Sequence, residues 1–245
     1  MFFDVPTLFA VMVAVSAVYA LVIALIAHQR QPDMYLWAAA LGLQTLACVF
    51  FALRGHIPEA VSVLVANAAL AAALALYCEG VLRFRQIRWP RWWVWGPALS
   101  VVVAMALLLD GFHTRAVVAS SIYGGQYMLI VVAVAHRRSE PFLHGEHLVI
   151  WGASAVGATL LFRAWVMASG FVAVPALTHS GWLQGLTFLA MIMATALLSL
   201  GLVIMYQQRT EAALQANEQR QAFRNRILEL LSRGRPLPDI LHDIV

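Results

Sequence analysis

Apolar residues lie along the chain in seven long runs separated by short polar segments. The runs cover residues 5–27, 34–53, 60–82, 92–109, 115–135, 147–170 and 181–206. Each has about the 20 residues that an α-helix needs to cross the hydrocarbon of a bilayer. None alternates like a barrel strand, and a helix satisfies its own backbone hydrogen bonds in lipid. The pattern predicts an all-α, polytopic membrane protein with seven transmembrane helices.

Composition supports this class and excludes several others. Of the 245 residues, 62% are hydrophobic and 11% are charged, whereas a soluble domain carries about 25% charged residues. The first run has no basic segment before it and is long enough to span, so no cleavable signal peptide is expected. Both cysteines, Cys48 and Cys78, fall inside apolar runs, which argues against a structural disulfide. The absence of lysine excludes a retinal Schiff base.

The arginines predict an orientation. With the N-terminus outside, 13 of the 16 arginines fall on the inner segments, in the tail or between helices, as the positive-inside rule requires. The aromatic cluster "WPRWWVW" at 89–95 then marks the inner interface. The segment "RGHIPE" becomes a short outer turn, in which Gly55 ends one helix and Pro58 opens the next.

The composition changes after Tyr206. Residues 207–233 are mostly polar helix formers, so we expect the seventh helix to continue into the cytoplasm as a signalling helix. Its heptad pattern is weak, and a coiled coil stays open as an alternative. Residues 234–245 turn apolar again after Gly234 and predict one more helix, with little to pack on. We therefore expect the natural protein to continue beyond Val245.

A family resemblance rests on residues 51–85, "FALRGHIPEAVSVLVANAALAAALALYCEGVLRFR". This span resembles the second and third helices of the seven-helix, MASE-like sensor regions of bacterial cyclic-di-GMP signalling proteins of the GGDEF/EAL type. Those regions share an "LRG.LP" turn, a "LAN" helix and an "L.RF" exit. The matching residues are Leu53, Arg54, Gly55, Ile57 (in place of leucine), Pro58, Ala66, Asn67, Leu82, Arg83 and Phe84.

The end of the chain adds a second resemblance. "ILELLSRGRPLPDILHDIV", at 227–245, is similar to the opening helix of a GAF domain that precedes GGDEF and EAL modules. Neither a GGDEF nor an EAL motif occurs in these 245 residues. The resemblance implies that a longer protein is a diguanylate cyclase or cyclic-di-GMP phosphodiesterase, and that this chain itself has no catalytic residues.

Polar side chains within the predicted helices form the candidate ligand site, since such groups are costly in lipid. They fall between mid-membrane and the outer surface. One interpretation is a ligand pocket that opens outward, in which Arg163 offers a fork of donors to a carboxylate or phosphate. The alternative for the amides is hydrogen bonding between helices, and for Arg54 it is reaching towards the interface. The candidates are Arg163, Asn67, Gln126, Tyr123, Tyr127, Gln44 and Arg54.

No cofactor is predicted, although two groups of histidines leave metal binding open. His56, His113 and His179 fall one in each outer turn, and imidazole suits zinc or copper. The inner histidines, His28, His136, His144 and His147, would ligate haem only if buried and paired.

The sequence thus predicts a sensory input domain of the bacterial inner membrane, multi-pass, with a cytoplasmic C-terminus. It would transmit a ligand or membrane signal through its seventh helix to an output enzyme. The expected partners are the bilayer, a second copy in a homodimer and an unknown small-molecule or lipid-like ligand, but no nucleic acid. The alternatives are the front end of a sensor histidine kinase, a small transporter or channel, and a haem- or metal-binding membrane protein.

Overall fold

The computed structural model describes residues 5–28, 32–109, 111–136, 144–171 and 182–232. Throughout these ranges the chain is helical apart from short turns, and it contains no β-strand. The helices, in chain order, are α1 (Val5–His28), α2 (Pro32–Ala52), α3 (Glu59–Phe84), α4 (Arg91–Leu107), α5 (Phe112–Ala135), α6 (His144–Ala168) and α7 (Trp182–Ser232).

Each predicted run corresponds to one helix, and six of the helices are long and apolar enough to cross a membrane. The exception is α4, which has 17 residues, short of the roughly 20 that span hydrocarbon. The described part of the chain is therefore all-helical, and its six or seven apolar helices are compatible with a multi-pass membrane protein.

The outer surface of these helices is apolar, as lipid contact requires. Leu21 and Leu25 on α1 are each 62% exposed, and Trp151 on α6 is 71% exposed. A water-soluble protein rarely leaves so much contiguous apolar surface uncovered. Large apolar side chains therefore lie on the outside of the bundle as well as in its core, where Trp37 and Leu41 are fully buried.

The turn between α2 and α3 is tight and has the predicted glycine and proline. Gly55 has φ +94°, a backbone conformation that a residue without Cβ adopts readily. Pro58 caps α3, which begins at Glu59. The Ser62 hydroxyl donates to the Phe50 carbonyl oxygen at 2.8 Å, which ties the start of α3 to the end of α2.

Small residues allow close helix approach at two further places. Gly124 on α5 and Gly157 on α6 face each other, and a Cβ at Gly124 would lie 3.2 Å from the Gly157 carbonyl oxygen. A methyl group at Gly80 on α3 would overlap the indole of Trp37 on α2. Gly124 and Gly157 thus allow α5 and α6 to approach closely.

The chain divides into two units, Met1–Leu202 and Val203–Val245. The first contains α1 to α6 and the first part of α7. In the second, α7 continues to Ser232, and every residue from 209 to 226 is exposed.

Candidate functional site

Four contacts define one end of the bundle, which we call the turn end because it carries the α2–α3 turn. Nη2 of Arg115, in the first turn of α5, lies 3.2 Å from Oε1 of Glu59, the first residue of α3. Nε2 of His113 lies 3.0 Å from the carbonyl oxygen of Met167, near the last residue of α6. Leu183 at the start of α7 packs on Met167, and the Phe9 ring of α1 contacts the Phe188 ring of α7. The starts of α1, α3, α5 and α7 therefore meet the end of α6.

A cavity extends from this end into the bundle. The space within it that a water-sized sphere can occupy is about 90 Å³, and the cavity is partly open to its surroundings. Five of the seven predicted ligand-binding residues line it. They are Arg54, Asn67, Tyr123, Tyr127 and Arg163.

Arg163 is the least satisfied polar residue of this cavity. It lies on α6 and is 7% exposed. Its Nε is buried and has no hydrogen-bond partner among the described residues. Arg163 also takes part in none of the ion pairs between described residues. A guanidinium held in this way loses its hydration and receives no compensating charge.

Two more arginines line the cavity at the turn end. Arg115 is 4% exposed, and its guanidinium donates to the carbonyl oxygen of Leu109 at 2.6 Å as well as to Glu59. Arg54 lies in the turn over the ring of Phe51, and its Nε also lacks a partner among the residues described. Burial and then the positive charge of Arg115 lower the pKa of Arg54 below its usual range, an effect that Glu59 partly offsets.

Asn67 takes part in a contact between helices and also lines the cavity. The Tyr123 hydroxyl of α5 donates to Oδ1 of Asn67 at 2.8 Å, and Nδ2 of Asn67 donates to the Val63 carbonyl oxygen at 2.7 Å. Both polar atoms of this buried amide are thus satisfied within the protein, as burial in an apolar interior requires. Asn67 therefore joins α3 to α5 and forms part of the cavity wall.

The two glutamines lie outside the cavity lining and join helices. Gln44 on α2 donates from Nε2 to Oγ1 of Thr195 on α7 at 2.7 Å. Gln126 on α5 donates to the Ala71 carbonyl oxygen on α3 at 3.1 Å. Both side chains are buried, and each contact connects two apolar helices by a hydrogen bond.

The histidines do not form a metal centre in the part of the chain that is described. No group of three or more potential ligands among histidine, cysteine, aspartate and glutamate comes together there. His113 contacts the Met167 carbonyl oxygen, and His56 is exposed in the turn. His179 lies outside the described residues.

Arg115 and Ser120 line the cavity but were not among the predicted site residues. Arg115 opens the apolar run 115–135, and a charged residue at the start of such a run usually lies at the membrane interface. Its burial depends on Glu59 and the Leu109 carbonyl oxygen, which come from other segments. One sequence signal could have indicated its role. The predicted outer side carries two arginines, Arg54 and Arg115, and the turn that contains Arg54 is followed by one glutamate, Glu59.

The described lining of the cavity contains three arginines and no carboxylate or histidine. Such a set has no general base or activated nucleophile, but it has many donors for an anion. The geometry therefore favours binding over catalysis.

Comparison of the chain with protein-family models, curated protein sequences and solved structures gives no match.

Proposed function

We propose that this chain is the membrane-embedded input domain of a bacterial sensory protein. A ligand binds in the cavity, and α7 transmits the change to a cytoplasmic output module. The observation that carries the proposal is Arg163, a buried guanidinium that faces a cavity without an ionic partner in the described structure. Uncompensated charge in an apolar bundle is costly, so its presence at this position favours a role in binding.

Helix α7 supports the step from binding to transmission. Phe188 and Met191 of this helix line the cavity, and the helix itself ends only at Ser232. A ligand that changes the packing of these two side chains acts on an element that also extends through the polar segment. This is a direct mechanical route of the kind that membrane receptors need.

The proposed output follows from the resemblance of residues 51–85 and 227–245 to cyclic-di-GMP signalling proteins. In that case the natural protein contains a GAF domain and a GGDEF or EAL module. The N-terminus lies in the periplasm, the tail lies in the cytoplasm, and the protein functions as a homodimer in the inner membrane.

Substitution of Arg163 tests the proposal. The natural protein with Arg163→Gln or Arg163→Leu is compared with wild type for membrane yield, Tm and cellular cyclic-di-GMP. We expect unchanged yield and an equal or higher Tm, because an uncompensated buried charge is removed, together with a severalfold change in cyclic-di-GMP.

A control variant and the contrary outcomes make the test specific. Arg88→Gln, at an exposed position between α3 and α4, should leave both stability and output unchanged. Wild-type cyclic-di-GMP in both Arg163 variants would contradict the proposal. So would loss of folding with a normal response in the remaining protein, since Arg163 would then be structural. A change in histidine autophosphorylation instead of cyclic-di-GMP would identify the kinase alternative.

A further inference from the structure

The charge of the cavity is unbalanced. Three arginines line it: Arg54, Arg115 and Arg163. Among the described residues, the acidic group paired with one of them is the Glu59 carboxylate, which contacts Arg115. That carboxylate is itself 67% exposed, so solvent weakens its effect. The site as it stands holds more positive charge than the protein neutralises, and this favours an anionic ligand.

Two unused donors belong to residues that line the same cavity. Nε of Arg54 and Nε of Arg163 are both buried and have no partner among the described atoms. A guanidinium presents its N–H groups as a planar fork that binds a carboxylate or phosphate through two parallel hydrogen bonds. The Asn67 and Tyr123 side chains bond to each other, so they make no competing demand on the ligand.

Beyond the arginines the cavity wall is mainly apolar. Leu70 and Leu74 of α3, Leu160 of α6 and Met191 of α7 line this part. Leu74 is 15 residues from the start of α3, and Arg163 is five residues from the end of α6. At 1.5 Å of rise per residue, and with both helix ends at the turn end, the wall extends about 15 Å deeper than Arg163.

We infer that the cavity binds a single-chain anionic amphiphile, with its carboxylate or phosphate head on Arg163 and Arg54 and its tail along Leu70, Leu74 and Met191. This inference rests on the proposed sensory function and specifies its ligand. Such a molecule combines the two properties of the site, a cationic end and an apolar interior. A charged head without a tail would leave the apolar wall unfilled, and a tail without charge would leave the guanidiniums unpaired.

Binding to the full chain in zwitterionic phosphatidylcholine nanodiscs tests this. The probes are decanoate, decanol, acetate and a lysophosphatidate, and empty nanodiscs correct for partition into lipid. Titration calorimetry should show saturable binding of decanoate or lysophosphatidate, and a rise in Tm with ligand concentration. Decanol, which lacks charge, and acetate, which lacks a tail, should each bind at least about tenfold more weakly, the effect of losing roughly 1.4 kcal/mol.

Variants locate the head group. Arg163→Gln and Arg54→Gln should each weaken binding about tenfold or more. Arg163→Lys should recover part of the affinity because it keeps the charge but loses the fork, and Arg224→Gln should bind like wild type. If Arg163→Gln does not fold, Arg54→Gln and the contrast between decanoate and decanol still decide the matter. Preference for decanoate indicates a free acyl carboxylate as the source, and preference for lysophosphatidate indicates a membrane lipid.

Three results would overturn the inference: equal affinity for decanol and the anionic amphiphiles, wild-type affinity in both arginine variants, or no saturable binding of either amphiphile. These readouts are independent of signalling. If cyclic-di-GMP depends on Arg163 but no amphiphile binds, the ligand class is wrong and the sensory function stands. If decanoate binds through Arg163 but never changes the output, the ligand class stands and the sensory function fails.

Discussion

At the scale of single residues, the polar groups inside the bundle divide into satisfied and unsatisfied ones. The amides of Asn67, Gln44 and Gln126 each donate to an oxygen of the protein, although Oε1 of Gln126 accepts no hydrogen bond from the described residues. Nε of Arg163 donates to none among the described residues. The first group stabilises the arrangement of the helices, and Arg163 remains available to a ligand.

The bond between Asn67 and Tyr123 gives the residue-scale prediction. Tyr123→Phe removes the donor and leaves Oδ1 of Asn67 buried without its 2.8 Å partner. Hydrogen bonds between membrane helices average about 0.6 kcal/mol in double-mutant cycles, and an unsatisfied buried acceptor costs about 1–3 kcal/mol. We expect the free energy of unfolding to fall by about 1 kcal/mol, measured by chemical denaturation in micelles.

Tyr35→Phe is the matched control, because Tyr35 on α2 is 46% exposed and its loss of a hydroxyl should change stability little. A destabilisation in Tyr123→Phe no larger than that in Tyr35→Phe would show that the Asn67 contact contributes nothing. An Asn67→Leu and Tyr123→Phe pair then measures the coupling between the two residues directly.

The residues of the candidate site were predictable where a polar side chain interrupts an apolar run. Asn67 and Arg163 are conspicuous in apolar runs, because lipid makes such groups expensive. Which of them would share a cavity was not predictable, since Gln44 and Gln126 occur in the same kind of run and instead bond to α7 and α3. Arg115 gave a misleading signal, because a charge at the start of a run is usually exposed.

At the scale of elements, the apolar runs predict the positions of the helices. The residues at which the helices begin and end depend also on contacts with other segments of the chain. Helix α5 begins at Phe112, three residues before the predicted run, and Arg115 in its first turn contacts Glu59 and the Leu109 carbonyl oxygen. Helix α6 likewise begins at His144 rather than His147, and ends at Ala168 rather than Gly170.

Helix α7 gives the element-scale prediction. It was expected from 181 to about 233 and is observed as Trp182–Ser232. Its residues 209–226 are all exposed, including Leu214 and Phe223 at 59% and 50%. A lone helix of this kind is marginal in water, so we propose that it pairs with the same helix of a second copy.

If α7 transmits by rotation, residues inserted after Gln208 should act by phase. One, two or three additional residues turn the following helix by about 100° each and should hold the output on or off. Seven restore the original face to within about 20° and should return the output to wild type. The measurement is cyclic-di-GMP formation by the natural protein, with membrane yield as the control. Equal output in every insertion variant would show that the segment acts as a flexible tether.

At the scale of the whole molecule, the bundle has two chemically different ends. The turn end carries the arginines of the cavity. At the other end, Nη1 of Arg85 lies 2.6 Å from Oε1 of Glu146 and donates to the Val134 carbonyl oxygen, which joins α3, α5 and α6. The tryptophans at 92 and 93, at the start of α4, are exposed near this end, as amphipathic rings at a membrane interface are.

The distribution of arginine between these ends predicts the orientation of the protein. Because 13 of the 16 arginines fall in the tail or in the segments that the sequence assigns to the inner side, we expect the turn end to face the periplasm. A cysteine at His56, which is exposed in the turn, should react with a membrane-impermeant maleimide in intact spheroplasts. A cysteine at Gln221, which is exposed on α7, should react only after lysis. The native Cys48 and Cys78 are buried, so the unaltered chain should stay unlabelled. Labelling of Gln221→Cys before lysis, with His56→Cys protected, would invert the orientation and turn the cavity towards the cytoplasm.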